Sequence, residues 1–461
     1  MPALRCVLFP VLPVAEIIGI SAEPYNTFDG EGFPACNNVT TVHNATSVND
    51  IVSLVKRAAA NGTPVRASGN GHMWYDTMCS DNLDTVIIRT EFVNRISNLV
   101  LEEGAKSRTV EIEAGVTFLQ FAEYLHANNA SMGYTLVNWN ITMAGAVAMG
   151  GHRSAIREDS MVAAGVLSLD IVNGDGESSP SLLQGAFTCN TSQWWPYLRK
   201  FHWRYYDKVP LDLSNQEGFQ NTFSTTDFQA FTAKAILEDR KYLMTSNMLF
   251  EATAFALWSS PNFREKKTQK AINQWPVYGW NYDVLIGGPY PDQKPEWEYG
   301  MHGATLELAF PVVLANKMLK RVRQAFDEEA AEGIIMTSTY RSGINIKFGR
   351  AYYDFLGQVT YNTSDGADWS KGAIMFDFPS FKPTIGDGKR FNEDFYRRLA
   401  KTLIDEFPAR PHWTKNTRAV FANATKNIDP SHLAQFRAVR EKFDPWGTFK
   451  SIVGEILGLY N

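Results

Sequence analysis

Apolar residues recur along this chain at spacings that alternate between helix and strand. Val48, Ile51, Val52, Val55 and Ala59 share one helical face; Ser47 stands where it can cap that helix, Asp50 completes a capping-box-like start, and Gly62 ends it. A short strand from Pro64 to Ala67 then runs into Ser68-Gly69-Asn70-Gly71-His72. Leu83 to Arg89 is strand-like, and Thr109 to Ala114 alternates Val110 and Ile112 with polar residues. After Gly115, Thr117 opens an amphipathic helix carrying Phe118, Ala122 and Leu125. Val166 to Val172 reads as a strand ending in Asn173-Gly174-Asp175-Gly176, a strong hairpin signal. The first third is thus one α+β unit. Farther on, Thr305 to Pro311 is a strand that leaves Glu307 among apolar neighbours, and Val313 to Glu328 is a helix with a mixed charged face. Thr337 to Ile346 and Ala373 to Phe378 are further strands, the first holding Arg341.

The turn after the second element carries candidate chemistry. Glycine lacks a Cβ, so Gly69 and Gly71 can take positive φ and let successive backbone N–H groups converge on an anion such as a diphosphate. Read alone, the same segment is equally a plain structural turn. The run from Asn140 to His152 is too glycine-rich for an ordinary helix and too apolar for a linker. It suits either backbone lying against a ring system or tight packing between elements.

Composition narrows the class. With 461 residues, 44% of them hydrophobic, the chain can bury more than one core, and a net charge of -5 with no clustered basic stripe argues against a nucleic-acid partner. Arg5, the apolar run from Cys6 to Ala15 and the small residues Gly19, Ser21 and Ala22 follow the order of a secretory signal at residues 1–22, interrupted by Pro10, Pro13 and Glu16. That stretch is too broken to span a membrane, and none other approaches membrane length, so stable membrane insertion is not expected. Asn-x-Ser/Thr triplets at Asn38, Asn44, Asn61, Asn129, Asn140, Asn190, Asn362 and Asn423 favour a secreted glycoprotein over a membrane-associated or intracellular one. Of four cysteines, Cys36, Cys79 and Cys189 remain after signal removal, and a Cys36–Cys79 bridge would tie the N-terminal arm to the segment after His72. No Cys or His spacing suits a zinc site, and no metal is expected.

Taken in order, Gly69-Asn70-Gly71-His72, Cys79-Ser80-Asp81, Glu113-Ala114-Gly115, Thr142-Met143-Ala144-Gly145 and Gly150-Gly151-His152 resemble the FAD-binding (PCMH-type) domain of the vanillyl-alcohol oxidase superfamily. Arg410-Pro411-His412-Trp413-Thr414-Lys415 looks like the His-Trp-x-Lys signature of aldonolactone and alditol oxidases, and Asp444-Pro445-Trp446-Gly447-Thr448-Phe449 matches the Asp-Pro-x-Gly-x-Phe end of the same proteins. The resemblance implies FAD carried covalently by His72 through an 8α-histidyl bond. Arg66, Ala67, Ser68, Gly69, Asn70, Gly71, His72 and Met73 would cradle the diphosphate. Gly115, Thr142, Gly145, Gly150 and Gly151 would lie along the cofactor, with His152 packed and hydrogen-bonded near it. The berberine-bridge-like branch adds a cysteinyl link, but Leu136 to Asn140 holds no cysteine, so a single histidyl attachment is favoured.

Alcohol oxidation develops an alkoxide-like charge, which calls for a cation beside a histidine. Lys415 is the first candidate, with His412 as base or as its orienting partner and Trp413 as packing. Glu307 and Arg341 are further candidates. Aldonolactone oxidases carry a Glu-x-Arg pair in this region, whereas the chain reads Thr339-Tyr340-Arg341, so the carboxylate is lost; both Glu307 and Arg341 also read as ordinary ion-paired strand residues. The stretch from Ala186 to Glu217 lacks the glycines expected of a flavin wall and holds Trp194-Trp195-Pro196-Tyr197 and Trp203. It reads as a replaced loop, a partner surface or a misassigned splice junction.

The expected architecture is α+β: a two-subdomain PCMH-type FAD-binding domain at 36–210, a central substrate domain at 211–407 with an antiparallel sheet flanked by helices, and a segment at 408–461 returning to the first. The expected activity is oxidation of a secondary alcohol of a sugar lactone, polyol or related compound, with dioxygen as partner and hydrogen peroxide as product. The alternatives are alcohol oxidation or oxidative cyclisation of a secondary metabolite, and a non-catalytic member of the fold.

Overall fold

In the computed structural model the described residues are most of 39–182 and 302–460, leaving out 77–78, 82–83, 102–107, 133–135, 137–139, 333–342, 351–355, 360–365, 379 and 383–392. Outside these blocks they include 25–26, 35–36, 190–195, 198–205, 219–221, 263–265 and 278–283, with a few single positions. The expected signal segment, Cys6, Cys189 and Arg341 lie outside them.

The N-terminal unit begins with β1 (Val39–Asn44), α1 (Val48–Ala60), β2 (Val65–Ser68) and β3 (Thr85–Arg89), the three strands pairing in parallel in the order β1-β3-β2. Helix α1 forms where its periodicity predicts. The Asp50 N–H donates to Ser47 Oγ at 3.1 Å, whereas the Asp50 carboxylate accepts from Thr46, shifting the capping pair by one residue. Its Leu54, Val55 and Ala58 are buried against Val65, Ile88 and Val93, each large side chain contributing about 1.5–3 kcal/mol. Helix α2 (Phe118–Ala127) opens on a full capping box between Thr117 and Gln120. The small-residue run departs from expectation by forming a short helix, α3 (Met143–Ala148). Met143 and Ala146 anchor it in the core with Phe118 and Phe121, and burial of that face outweighs the cost of Gly145. The predicted hairpin is present: Ser168–Val172 pairs antiparallel with Ser178–Leu182 across Asn173 to Glu177.

A larger sheet is built from β4 (Ala155–Asp159), β5 (Asn190–Trp195), β6 (Lys200–Tyr205), β7 (Glu307–Pro311), β8 (Ile344–Arg350), β9 (Ala373–Asp377) and β10 (Arg410–Pro411). The order is β6-β5-β8-β9-β7-β10, antiparallel throughout, with β4 added in parallel to β8. The glycine-free stretch therefore supplies a hairpin to this sheet: Trp194 is buried in its core and stacks on Phe201. The strand expected from Thr337 to Ile346 is described from Ile344 onward and runs to Arg350.

Strand geometry sends alternate side chains to opposite faces. Leu308, Phe310, Ile344, Ile346, Ile374 and Phe376 point to one face and bury against α4 (Ala315–Ala331) and α5 (Glu393–Glu406) through Met318, Val322, Phe326, Leu399 and Leu403. The other face receives Glu307, Asn345, Lys347 and Asp377. The C-terminal segment closes back on the N-terminal unit. The Val65 N–H donates to Thr448 O at 2.7 Å, Arg66 Nη1 to Phe449 O at 2.7 Å, and Thr448 Oγ1 to Gly174 O at 3.0 Å.

Candidate active site

Glu307 and Asp377 are register partners on adjacent strands, so their carboxylates emerge side by side from the polar face. Lys347 leaves β8 on the same face, two residues beyond Asn345, which is itself opposite Asp377. The fourth charge arrives by a loop. After β10, the His412 N–H donates to Glu307 O at 3.1 Å, and Asn416 Nδ2 donates to Glu307 O and His412 O, both at 2.8 Å. Trp413 stacks on Phe421 and donates Nε1–H to Leu356 O, so it packs as expected. The loop so fixed delivers Lys415.

The result is a closed ring of ion pairs. Lys415 Nζ lies 2.6 Å from Glu307 Oε2 and 2.7 Å from Asp377 Oδ2; Lys347 Nζ lies 2.9 and 3.1 Å from the same two oxygens. Glu307 Oε1 accepts from His152 Nε2 at 2.5 Å and from Gln358 Nε2 at 3.1 Å. Asp377 Oδ1 accepts from Thr305 Oγ1 at 2.7 Å. Glu307 is fully buried. Burial opposes its charge, but Lys347, Lys415, His152 and His412 hold its carboxyl well below the usual range. Burial likewise opposes the charge on Lys415, and Asp377 and Glu307 overcome it, raising its proton affinity above that of an ordinary lysine. Lys415 is therefore a fixed ammonium. Burial, only partly offset by Glu307, drives His412 well below the usual histidine range and keeps it neutral. Its Nδ1 accepts from the Thr414 N–H at 3.2 Å, which puts the proton on Nε2 and makes that atom a donor.

His152, Glu307 and His412 bring ligand atoms within 4.8 Å of one another. Two ammonium groups already occupy Glu307, so the local charge opposes a divalent cation.

The glycine segments converge beside this cluster. Asn70 Nδ2 donates to Asn140 O at 2.8 Å, and a Cβ on Gly69 would lie 2.3 Å from Thr142 Oγ1. One on Gly145 would lie 2.9 Å from the same atom, so Thr142 fits between two glycines. Gly71 and Gly150 both have φ of +69°, and a Cβ on Gly151 would meet Ala146 O at 2.7 Å. Gly115 plays a different part: a Cβ there would strike Thr90 O, so it packs strand ends together. Among the described residues the N–H groups of Gly69, Asn70 and Gly71 donate to no protein acceptor, and they form one continuous backbone turn. Such a nest fits the diphosphate of an FAD. Half-buried His72 follows directly, and Met73 is buried. Arg66 donates from Nη1 to Phe449 O of the C-terminal motif. Ala67 and Ser68 lie on β2, where Ser68 is buried.

Glu307, His412 and Lys415 are candidates that the sequence names, and His152, expected packed and hydrogen-bonded near the cofactor, joins them through Glu307. Lys347, Asp377 and Gln358 were missed. The alternation Ile344-Asn345-Ile346-Lys347 put Lys347 on a polar face, and Asp377 ends an apolar strand, but their meeting depends on strand order.

The described geometry defines a flavin-binding scaffold with a buried charged site, and comparison with known proteins agrees. Residues 40–179 match the family model described as "FAD binding domain". L-gulonolactone oxidase 5 of Arabidopsis thaliana is 22% identical, covering 89% of this chain and 79% of that protein. D-arabinono-1,4-lactone oxidase of Kluyveromyces lactis is 28% identical over 30% of this chain and 27% of its own length. A solvent-stable cholesterol oxidase shares the fold with a TM-score of 0.67 at 16% identity, covering 96% of this chain and 99% of that one. The chain carries a PCMH-type FAD-binding domain, has aldonolactone oxidases among its homologues, and is an FAD-linked oxidoreductase.

Proposed function

We propose that this oxidoreductase acts on a secondary alcohol of a sugar lactone, polyol or related small molecule, with dioxygen as acceptor. The observation that carries the reading is the fixed ammonium of Lys415. Two of its three N–H bonds are engaged by Glu307 and Asp377, leaving the third to donate to a substrate oxygen as negative charge develops there. The flavin, when bound, supplies the hydride acceptor and passes the electrons to dioxygen, giving hydrogen peroxide. His412, neutral and presenting Nε2–H, supports the orienting role over that of a base. Gly69, Asn70 and Gly71 would hold the diphosphate, and His72, which follows them directly, would carry the covalent bond.

The names of the lactone-oxidising relatives support the substrate class. Export is part of the same reading and is supported by the Cys36–Cys79 disulfide, which persists in oxidising compartments. A peroxide assay on purified protein with aldonolactones, alditols and aromatic alcohols tests the proposal. Peroxide from the first two classes is expected; peroxide from aromatic alcohols alone would replace it with the secondary-metabolite alternative.

A further inference from the structure

Lys347 has no role in the reading so far, yet it touches the same two carboxylate oxygens as Lys415. Resting on that reading, we propose that Lys347 is a positioning residue that keeps Glu307 and Asp377 ionised together, so that Lys415 keeps both anchors. Two buried carboxylates side by side resist sharing one cation, because the second negative charge is then uncompensated and one carboxyl takes up a proton. Two ammonium groups bridging two carboxylates balance the ring. The groups facing it are Glu307 from β7, Asp377 from β9, Lys415 and His412 from the loop after β10, and His152 from the turn before β4. The Thr305 hydroxyl and the Gln358 amide complete the shell. Once a carboxyl is protonated, Lys415 loses one of the two contacts that aim its remaining N–H.

The test follows thermal unfolding against pH for the wild type, Lys347→Met, Lys347→Arg and the double variant Lys347→Met with Asp377→Asn. Stability owed to an ionised carboxylate is lost as pH falls through its folded-state value, and removing Lys347 raises that value. The acid-side fall should begin about one pH unit or more higher in Lys347→Met and return to the wild-type position in Lys347→Arg. The double variant removes one charge of each sign and should also return. The rate of flavin bleaching by L-gulono-1,4-lactone should shift its acid limb in the same pattern. Coincident unfolding curves for the wild type and Lys347→Met, or a double variant that stays displaced, would overturn the proposal. If Lys347→Met does not fold, the double variant decides: a wild-type pH profile supports the proposal and a failure to fold refutes it. The unfolding curves need no turnover, so an inert lactone would count against the oxidase reading alone.

Discussion

Trp74, two residues beyond His72, donates its backbone N–H to the carbonyl of Thr414, one residue before Lys415, at 3.1 Å. The glycine turn and the lysine loop are therefore joined directly. Tyr75 adds a second tie: its hydroxyl donates to Thr305 O at 2.6 Å and accepts from the Thr305 N–H, while Thr305 Oγ1 holds Asp377. Arg418, just past the loop, pairs with Asp76 and Asp81 on either side of Cys79. Whatever the turn binds is thereby set at a fixed distance from the ion ring.

Glu307→Ala would leave two ammonium groups and His152 facing Asp377 alone at a buried site. Breaking a buried network by removing one partner costs about 3–5 kcal/mol. Chemical unfolding should show a loss of that order for Glu307→Ala and a smaller one for Glu307→Gln, which keeps the shape and one acceptor.

The low proton affinity of Glu307 in the folded state fixes the sign of one pH effect. Its stabilisation is present above the unfolded carboxyl value of about 4.3 and disappears as pH falls through the lower folded value. Glu307→Gln should lose part of the acid-side dependence of the unfolding midpoint, the two curves drawing together as pH falls below the unfolded carboxyl value of about 4.3. Parallel curves would show that Glu307 does not titrate differently on folding.

Gly69→Ala should remove flavin while leaving a folded chain. The added Cβ meets Thr142 within 3 Å, and the turn must shift to accept it. The flavin-to-protein absorbance ratio of the purified variant reads the effect. His72→Ala should instead retain flavin that is released on acid precipitation.

The Cys36–Cys79 disulfide closes a loop with a sequence separation of 43. Restricting the unfolded chain to that extent contributes about 4 kcal/mol. Replacing both residues by Ser should lower stability by about that amount, and non-reducing peptide mapping should recover the linked pair from the wild type.

Local signals carried much of the first unit. The α1 face, the Thr117 cap and the Asn173 to Gly176 turn are written in short windows, and the structure has them within a few residues. Glu307 was conspicuous as a charge inside an apolar strand. Lys347 and Asp377 were not, because their meeting requires β9 to lie between β7 and β8, pairings that join Asp377 to Lys347, 30 positions away, and to Glu307, 70 positions away. The place of the Trp194 hairpin in the sheet is not legible for the same reason: its partner, β8, lies some 150 residues downstream. The six-residue helix Met143–Ala148 runs against its glycine-rich sequence because tertiary burial overrides the poor helix propensity of glycine.

The most direct measurement is an absorbance spectrum of the purified protein, taken anaerobically before and after adding L-gulono-1,4-lactone, for the wild type and Lys415→Met. The wild type should be yellow and bleach, and Lys415→Met should be yellow and bleach about 100-fold or more slowly, the usual loss when a preorganised donor to developing charge is removed. A colourless wild type, or a Lys415→Met variant that bleaches as fast as the wild type, would contradict the account.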